Sequence, residues 1–291
     1  MRDLSADHRW LSLNTATVRK QGNFIEIVDA CARHGVRAVS PWRDQIADVG
    51  LDRAVKAVKD AGLDLSGYCR GGMFVADAAH RQESRDDNRR AVDEAGALGA
   101  PCLVLVVGGL PQFSRPGSAP SKNLADAHKM VEEEIAYLLD YARQARMPLA
   151  LEPLHPMYAA DRACVNTMRQ ALDICDRLDP SKNGVSSGAL GLAVDVYHVY
   201  WDFELKAQIA RAGRERILAF HVCDWLVPTR DVLLDRGMMG DGVADIPGIR
   251  ALVEAQGFNG YVEVELLSND WWSRPMDDVI TTCIARLRTA V

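Results

Sequence analysis

The sequence predicts an α/β protein, a single (β/α)8 barrel spanning residues 1–291. Short, apolar, β-branched runs alternate with amphipathic helical stretches along the whole chain, which implies a parallel sheet. The runs number eight, the count that closes a barrel. A doubly wound open sheet usually has a glycine-rich phosphate turn after its first strand, and Asn14–Val18 is not one.

The runs read as strands are Trp10–Leu13, Val36–Ser40, Leu63–Tyr68, Cys102–Val107, Pro148–Glu152, Gly191–Asp195, Ile217–His221 and Tyr261–Glu265. They are nearly continuous in hydrophobicity, as strands buried on both faces should be. Between them, Leu124, Ala127, Val131, Ile135, Leu138 and Ala142 recur at helical spacing, as do Met276, Val279, Ile280, Cys283, Ile284 and Leu287. Gly35 and Gly62 fall where helix C-caps belong, and Asn166–Thr167 can cap the helix after the fifth strand. The charged run Arg81–Arg90 reads as a solvated helix face.

A chain of 291 residues buries enough surface to need neither disulfides nor a structural metal. Its 7 cysteines are scattered and form no Cys-x-x-Cys pair, which fits reduced thiols. The charged segment Met1–Trp10 lacks the apolar run of a signal peptide, and no stretch is long and apolar enough for a membrane span. A cytoplasmic protein is therefore expected. A formal charge of −6 weighs against nucleic acid or an acidic membrane as partner. The partner is instead expected to be a small carbohydrate-like molecule. A homo-oligomer is expected, with a hetero-oligomer as the alternative.

Functional residues of a barrel belong at the C-terminal ends of its strands and in the following loops. Glu152, Asp195, His221 and Glu265 end the last four apolar runs. An unpaired charge there would cost several kcal/mol to desolvate. One divalent cation removes that cost by neutralising the three carboxylates together. Three carboxylates, one imidazole and no thiolate suit Mn²⁺, Mg²⁺, Co²⁺ or Zn²⁺, with Mn²⁺ the first choice. Glu263 shares a strand face with Glu265. Glu265 is nearer the strand end and is preferred as ligand, with Glu263 the fallback.

Glu152-Pro153, Asp195-x-x-His198, the His221 strand and Gly240-Asp241-Gly242-x-x-Asp245-Ile246 together resemble the sugar phosphate isomerase/epimerase superfamily. These are the xylose isomerase-like TIM barrels, which include ketose 3-epimerases, hydroxypyruvate isomerase and inosose dehydratases or isomerases. The resemblance covers essentially the whole chain. It implies metal ligation by Glu152, Asp195, His221 and Glu265, and proton exchange by the two glutamates at the carbon beside a carbonyl. It also implies substrate contacts by His198 and Arg236. Ketose 3-epimerases carry a further glutamate shortly after the first ligand. Here that segment reads Leu154-His155-Pro156-Met157-Tyr158, which leaves a different substrate open.

The chemistry fits such a set. A metal ion stabilises an enediolate as a Lewis acid, and a carboxylate on each side of the reacting carbon can remove and return its proton. His155 is a further candidate acid or base near neutral pH. Trp42 and Trp225 follow strands at the barrel top, where aromatic faces stack on sugar rings, and Trp271–Trp272 could do the same or form a subunit contact. Gly71–Gly72 and Gly108–Gly109 read as tight loops without nucleotide-binding spacing. The long segment Asp224–Ala244 reads as a lid with glycine hinges that brings Arg236 to the substrate.

The leading expectation is an isomerase or epimerase of a keto-sugar, cyclitol or small hydroxy-carbonyl compound. The first alternative is a lyase or dehydratase using the same enolate chemistry, including cleavage of 3-keto-glycosides. An abasic-site endonuclease needs more ligands than 7 histidines readily supply. A non-catalytic subunit is the remaining alternative.

Overall fold

The computed structural model describes residues 2–76, 78–110, 123–180 and 187–291. Its strands are β1 (Leu11–Asn14), β2 (Ala38–Ser40), β3 (Asp64–Leu65), β4 (Tyr68–Gly72), β5 (Leu103–Val106), β6 (Leu149–Leu151), β7 (Leu190–Asp195), β8 (Ile217–Val222), β9 (Asp224–Trp225), β10 (Arg236–Gly237) and β11 (Val262–Val264). Nine of them form one parallel sheet in the order β3-β2-β1-β11-β8-β7-β6-β5-β4. Helices connect the successive strands of this sheet except β3 and β4, the alternation that a parallel barrel requires. The remaining pair, β9 and β10, is an antiparallel ribbon in the loop after β8.

The third stave departs from the expected Leu63–Tyr68. It is broken into β3, which pairs with β2, and β4, which pairs with β5. The barrel closes across this break, where the Cys69 N–H donates to the Pro41 carbonyl at 2.9 Å and Trp42 bridges Cys69. Gly71–Gly72, expected as a loop, belongs to β4. A Cβ on Gly72 would lie 2.1 Å from the Val106 carbonyl oxygen, and its φ is +102°. Glycine here permits a close backbone approach rather than a turn.

The caps follow the sequence. Gly62 ends the helix Leu51–Ala61 in the left-handed region, and Thr167 with Gln170 forms a capping box on the helix Met168–Leu178. Arg81 and Arg85 of the helix Arg81–Leu98 pair with the buried Glu134 of the helix Leu124–Ala145. That charged run is therefore partly an interhelix contact and not wholly solvated.

Most buried apolar residues lie in one layer between staves and helices. A second, small cluster contains Cys102, Val104, Ala150, Ala193 and Ala219. By the two-residue alternation of a strand, Ala150, Ala193 and Ala219 share a face with Glu152, Asp195 and His221. Small side chains thus form the floor beneath the charged strand ends. Among the described residues, no helix is long and apolar enough to cross a membrane. All seven cysteines are free and buried.

Candidate metal centre and active site

Strand geometry brings the four expected residues together. One ligand atom from each of Glu152, Asp195, His221 and Glu265 lies within 4.8 Å of the others. All four are buried, Asp195 and His221 completely, at 0% exposure. Asp195 caps the short helix Val196–Val199 by accepting from the Tyr197 N–H with Oδ1, which leaves Oδ2 for the cluster. Arg236 Nη1 donates to that Oδ2 at 3.2 Å and to Glu265 Oε2 at 3.0 Å.

Glu263 occupies the layer below. It accepts from Asn14 Nδ2 at 2.7 Å and from the Ser66 hydroxyl at 2.7 Å. Asn14 also donates to Glu265 Oε1 at 3.0 Å, so one amide ties the two glutamates together. His221 has Glu152 Oε1 3.0 Å from its Nδ1 and Glu263 Oε1 3.5 Å from its Nε2. That buried Nε2 makes no hydrogen bond.

Electrostatics point the same way. Burial, together with Glu152 and Glu265, pushes the Asp195 carboxyl up to about 7 against the opposing pull of Arg236. Burial also raises Glu152, opposed by its hydrogen bond to His221. Burial alone would lower the His221 imidazole, but Glu263, Glu152 and Glu265 outweigh it and hold the ring well above its ordinary value. Four buried carboxylates thus face a single guanidinium and an imidazole. Oxygen-rich donors, excess negative charge and a ring nitrogen without a hydrogen bond fit a divalent cation.

A cavity of about 50 Å³ opens above the cluster. Glu152, Glu265, His198, Arg236 and Trp42 line it, as do Arg70, Tyr158 and Arg162. The His155 backbone N–H donates to His198 Nδ1 at 3.2 Å and Arg236 Nη2 lies 3.2 Å from its Nε2, so a donor faces each ring nitrogen. Burial and Arg236 hold this ring well below its ordinary value, hence neutral. Trp42 is fixed at the cavity wall by its Nε1–H donating to Asn14 Oδ1 at 2.8 Å.

His155 and Trp225 take other positions than expected. Their rings stack on one another at 4.4 Å, and neither is among the cavity-lining residues. Trp225 also packs on Tyr197, so its faces are used within the protein and not offered to a sugar. Trp271 is buried, and Trp272 donates to the Ala16 carbonyl at 2.8 Å; both lie outside the cavity lining.

The Asp224–Ala244 segment does place Arg236 at the cavity, but it is a tied loop rather than a hinged one. The Asp224 carboxylate accepts from the backbone N–H groups of Trp225, Gly240, Gly242 and Ala244. The hydroxyls of Tyr158 and Tyr197 both donate to the Val232 carbonyl at 2.6 Å. Sequence reasoning passed over Asn14, Asp224, Arg70 and Arg162. Asn14 and Asp224 stand at or just beyond strand ends, the same signal that marked the four acidic and imidazole residues.

The model of the xylose isomerase-like TIM barrel family matches residues 28–288. The chain belongs to this family. Its similarity to an inosose isomerase of Bacillus velezensis is 25% identity over 286 residues, 94% of this chain and 93% of the relative. Among solved structures, protein SMc04130 from Sinorhizobium meliloti 1021 shares 57% identity with a TM-score of 0.90, covering 97% of this chain and 98% of that one. The IolI protein with a bound zinc atom matches with a TM-score of 0.78 at 18% identity, covering 96% of this chain and 98% of that chain. An E. coli 3-keto-D-glucoside 4-epimerase, YcjR, matches with a TM-score of 0.74 at 17% identity, covering 97% and 99%. The last two likenesses concern the fold of the xylose isomerase-like family member.

Proposed function

We propose that this family member is a metal-dependent isomerase or epimerase. It would shift a proton beside the carbonyl of a keto-sugar, cyclitol or small hydroxy-carbonyl compound. The observation that carries this reading is the convergence of Glu152, Asp195, His221 and Glu265 within 4.8 Å, with both glutamates reaching the cavity. These four residues would hold one divalent ion, with Mn²⁺ the first choice and Mg²⁺, Co²⁺ and Zn²⁺ the alternatives. The inosose isomerase relative and the zinc-bound IolI structure support the reading.

When bound, the ion supplies Lewis acidity to a carbonyl and its neighbouring hydroxyl. The rest falls to the chain. Glu152 and Glu265 come from β6 and β11, which β7 and β8 separate in the sheet, so they approach a substrate from different sides. One carboxylate takes the proton and the other can return it. Burial raises the proton affinity of Glu152, the direction that suits a group accepting a proton from carbon. His198, a neutral ring held between the His155 N–H and Arg236 Nη2, and Arg236 with its guanidinium donors stand at the cavity to position substrate oxygens. His155 acts through His198 by donating its backbone N–H to Nδ1 and so orienting the ring.

The test is Glu152→Gln and Glu265→Gln, assayed on keto-sugars in D₂O with metal content measured in the same samples. A positioned base contributes on the order of 10²–10⁴-fold, so turnover should fall by that much while part of the metal remains. Wild-type protein should place deuterium beside the carbonyl of recovered substrate or product. Release of water or a second fragment would assign the lyase alternative. Undiminished turnover at full metal occupancy in both variants would remove the glutamates from the proton transfer.

A further inference from the structure

We propose that the substrate carries an anionic group, a carboxylate or phosphate, which Arg70 binds with Arg162 assisting. This deepens the isomerase reading and rests on it for the identity of the site.

The argument begins with the cations around the cavity. Three arginines line it: Arg70, Arg162 and Arg236. Arg236 is answered by Asp195 and Glu265 at 3.2 and 3.0 Å. Arg70 is different. It lies within β4, at the irregularity between Cys69 and Gly71, is half-buried, and its side chain makes no hydrogen bond or ion pair with the described residues. It also lines an adjoining groove, where the other guanidinium, Arg43, is fully engaged by Asp87 at 2.9 Å and Glu94 at 2.7 Å. Arg70 is thus the cation at the junction of cavity and groove whose charge is not met.

Arg162 adds donors to the same cavity. It forms an ion pair with Asp161 at 3.6 Å, too long for a hydrogen bond, and lies over the Tyr158 ring at 5.8 Å, while its buried Nε has no hydrogen-bond partner. The Arg70 guanidinium, partly withdrawn from water and without an ionic partner among the described residues, is costly unless a ligand supplies the acceptor. Its planar fork of donors matches the two oxygens of a carboxylate or a phosphate. The acidic cluster lies on the cavity floor, so an anionic end is repelled there and drawn to Arg70. The two ends of the cavity then orient the substrate, with its carbonyl toward the glutamates and its anion toward Arg70.

The test uses sugar derivatives without a ketone or aldehyde, so that turnover plays no part: gluconate, sorbitol 6-phosphate and neutral sorbitol. Binding to the Mn²⁺-loaded protein is measured calorimetrically for wild type, Arg70→Met, Arg70→Lys and Arg162→Met. Hydrogen bonds to a charged group are each worth roughly a factor of 10–100. One or both anions should therefore bind wild type at least tenfold more tightly than sorbitol. Arg70→Met should abolish that preference, Arg70→Lys should keep part of it, and Arg162→Met should reduce it. The anion that is preferred separates carboxylate from phosphate.

No preference in wild type, or a preference unchanged in Arg70→Met, would overturn the proposal. The second outcome would move anion binding to the metal. Arg70 has no ionic partner to orphan, and matched melting temperatures of the variants confirm that each is folded. Anion binding that follows Arg70 in a protein that turns over no keto-sugar would leave this proposal standing while the isomerase reading fails.

Discussion

Asn14 shows how much one neutral side chain can carry in this barrel. Its amide nitrogen donates to Glu263 and Glu265, and its oxygen accepts from the Trp42 indole and the Ala16 N–H. Asn14→Ala would leave two buried carboxylates and an indole short of partners. We expect a loss of about 1–3 kcal/mol in stability and a ~10–100-fold drop in metal affinity, since outer partners orient ligands. Denaturant melts and metal titration read the two effects, and an unchanged metal affinity would show that Glu265 is held by other contacts. Glu152, Asp195, His221 and Glu265 were legible in the sequence because a charge ending an apolar run demands an explanation. Asn14 ends such a run as well, but a neutral amide raises no such alarm. Arg70 and Arg162 were not legible, because a lone arginine is ordinary until the structure shows its guanidinium at the cavity.

At the scale of elements, the loop between β8 and the helix Ile246–Ala255 is organised by one carboxylate. Asp224 gathers four backbone N–H groups, and Gly242 fits only because a Cβ there would lie 2.2 Å from the Trp225 carbonyl oxygen. Asp224→Ala should free the β9–β10 ribbon and with it Arg236. We expect a cost on the order of 3 kcal/mol, by analogy with hydrogen bonds to a charged acceptor, together with faster proteolysis between 224 and 244 and a raised KM. Unaltered proteolysis would mean that the Tyr158 and Tyr197 hydroxyls hold the loop unaided. Seven of the eight staves were legible from apolar runs, to within a residue or two at each end. The third was misplaced because Gly71 and Gly72 signal a turn in sequence, whereas here they let two strands approach.

For the whole molecule, the metal-free barrel carries protons that its unfolded chain does not. Between the ordinary aspartate value of about 3.9 and about 7, Asp195 is protonated only when folded. The folded state then binds more protons, so stability falls as pH rises through that window. Glu152 acts in the same direction. His221, raised by its carboxylate neighbours, adds the same sign above its ordinary value of about 6.5. His198 and His155, both lowered by burial, oppose this below the ordinary histidine value of about 6.5, so the melting temperature of chelator-treated protein should drop from pH 6.5 to pH 7.5. Added Mn²⁺ should raise it more at pH 7.5 than at pH 5, because metal and protons compete for the same groups. A metal-free melting temperature that climbs over this range would contradict the charge balance drawn here.

The paired glycines of β4 also set what the barrel can become. A methyl at Gly71 would strike the tips of Leu105 at 2.8 Å and Leu103 at 3.0 Å, both side chains that a second mutation can shorten. A methyl at Gly72 would strike the main chain of Val106 in a backbone conformation with φ of +102°, and no exchange of side chains moves that obstacle. A genetic screen started from Gly71→Ala should yield suppressors at Leu103 or Leu105. One started from Gly72→Ala should yield revertants alone. Two neighbours with the same letter thus differ in their freedom to drift: one is negotiable with its surroundings, and the other is frozen.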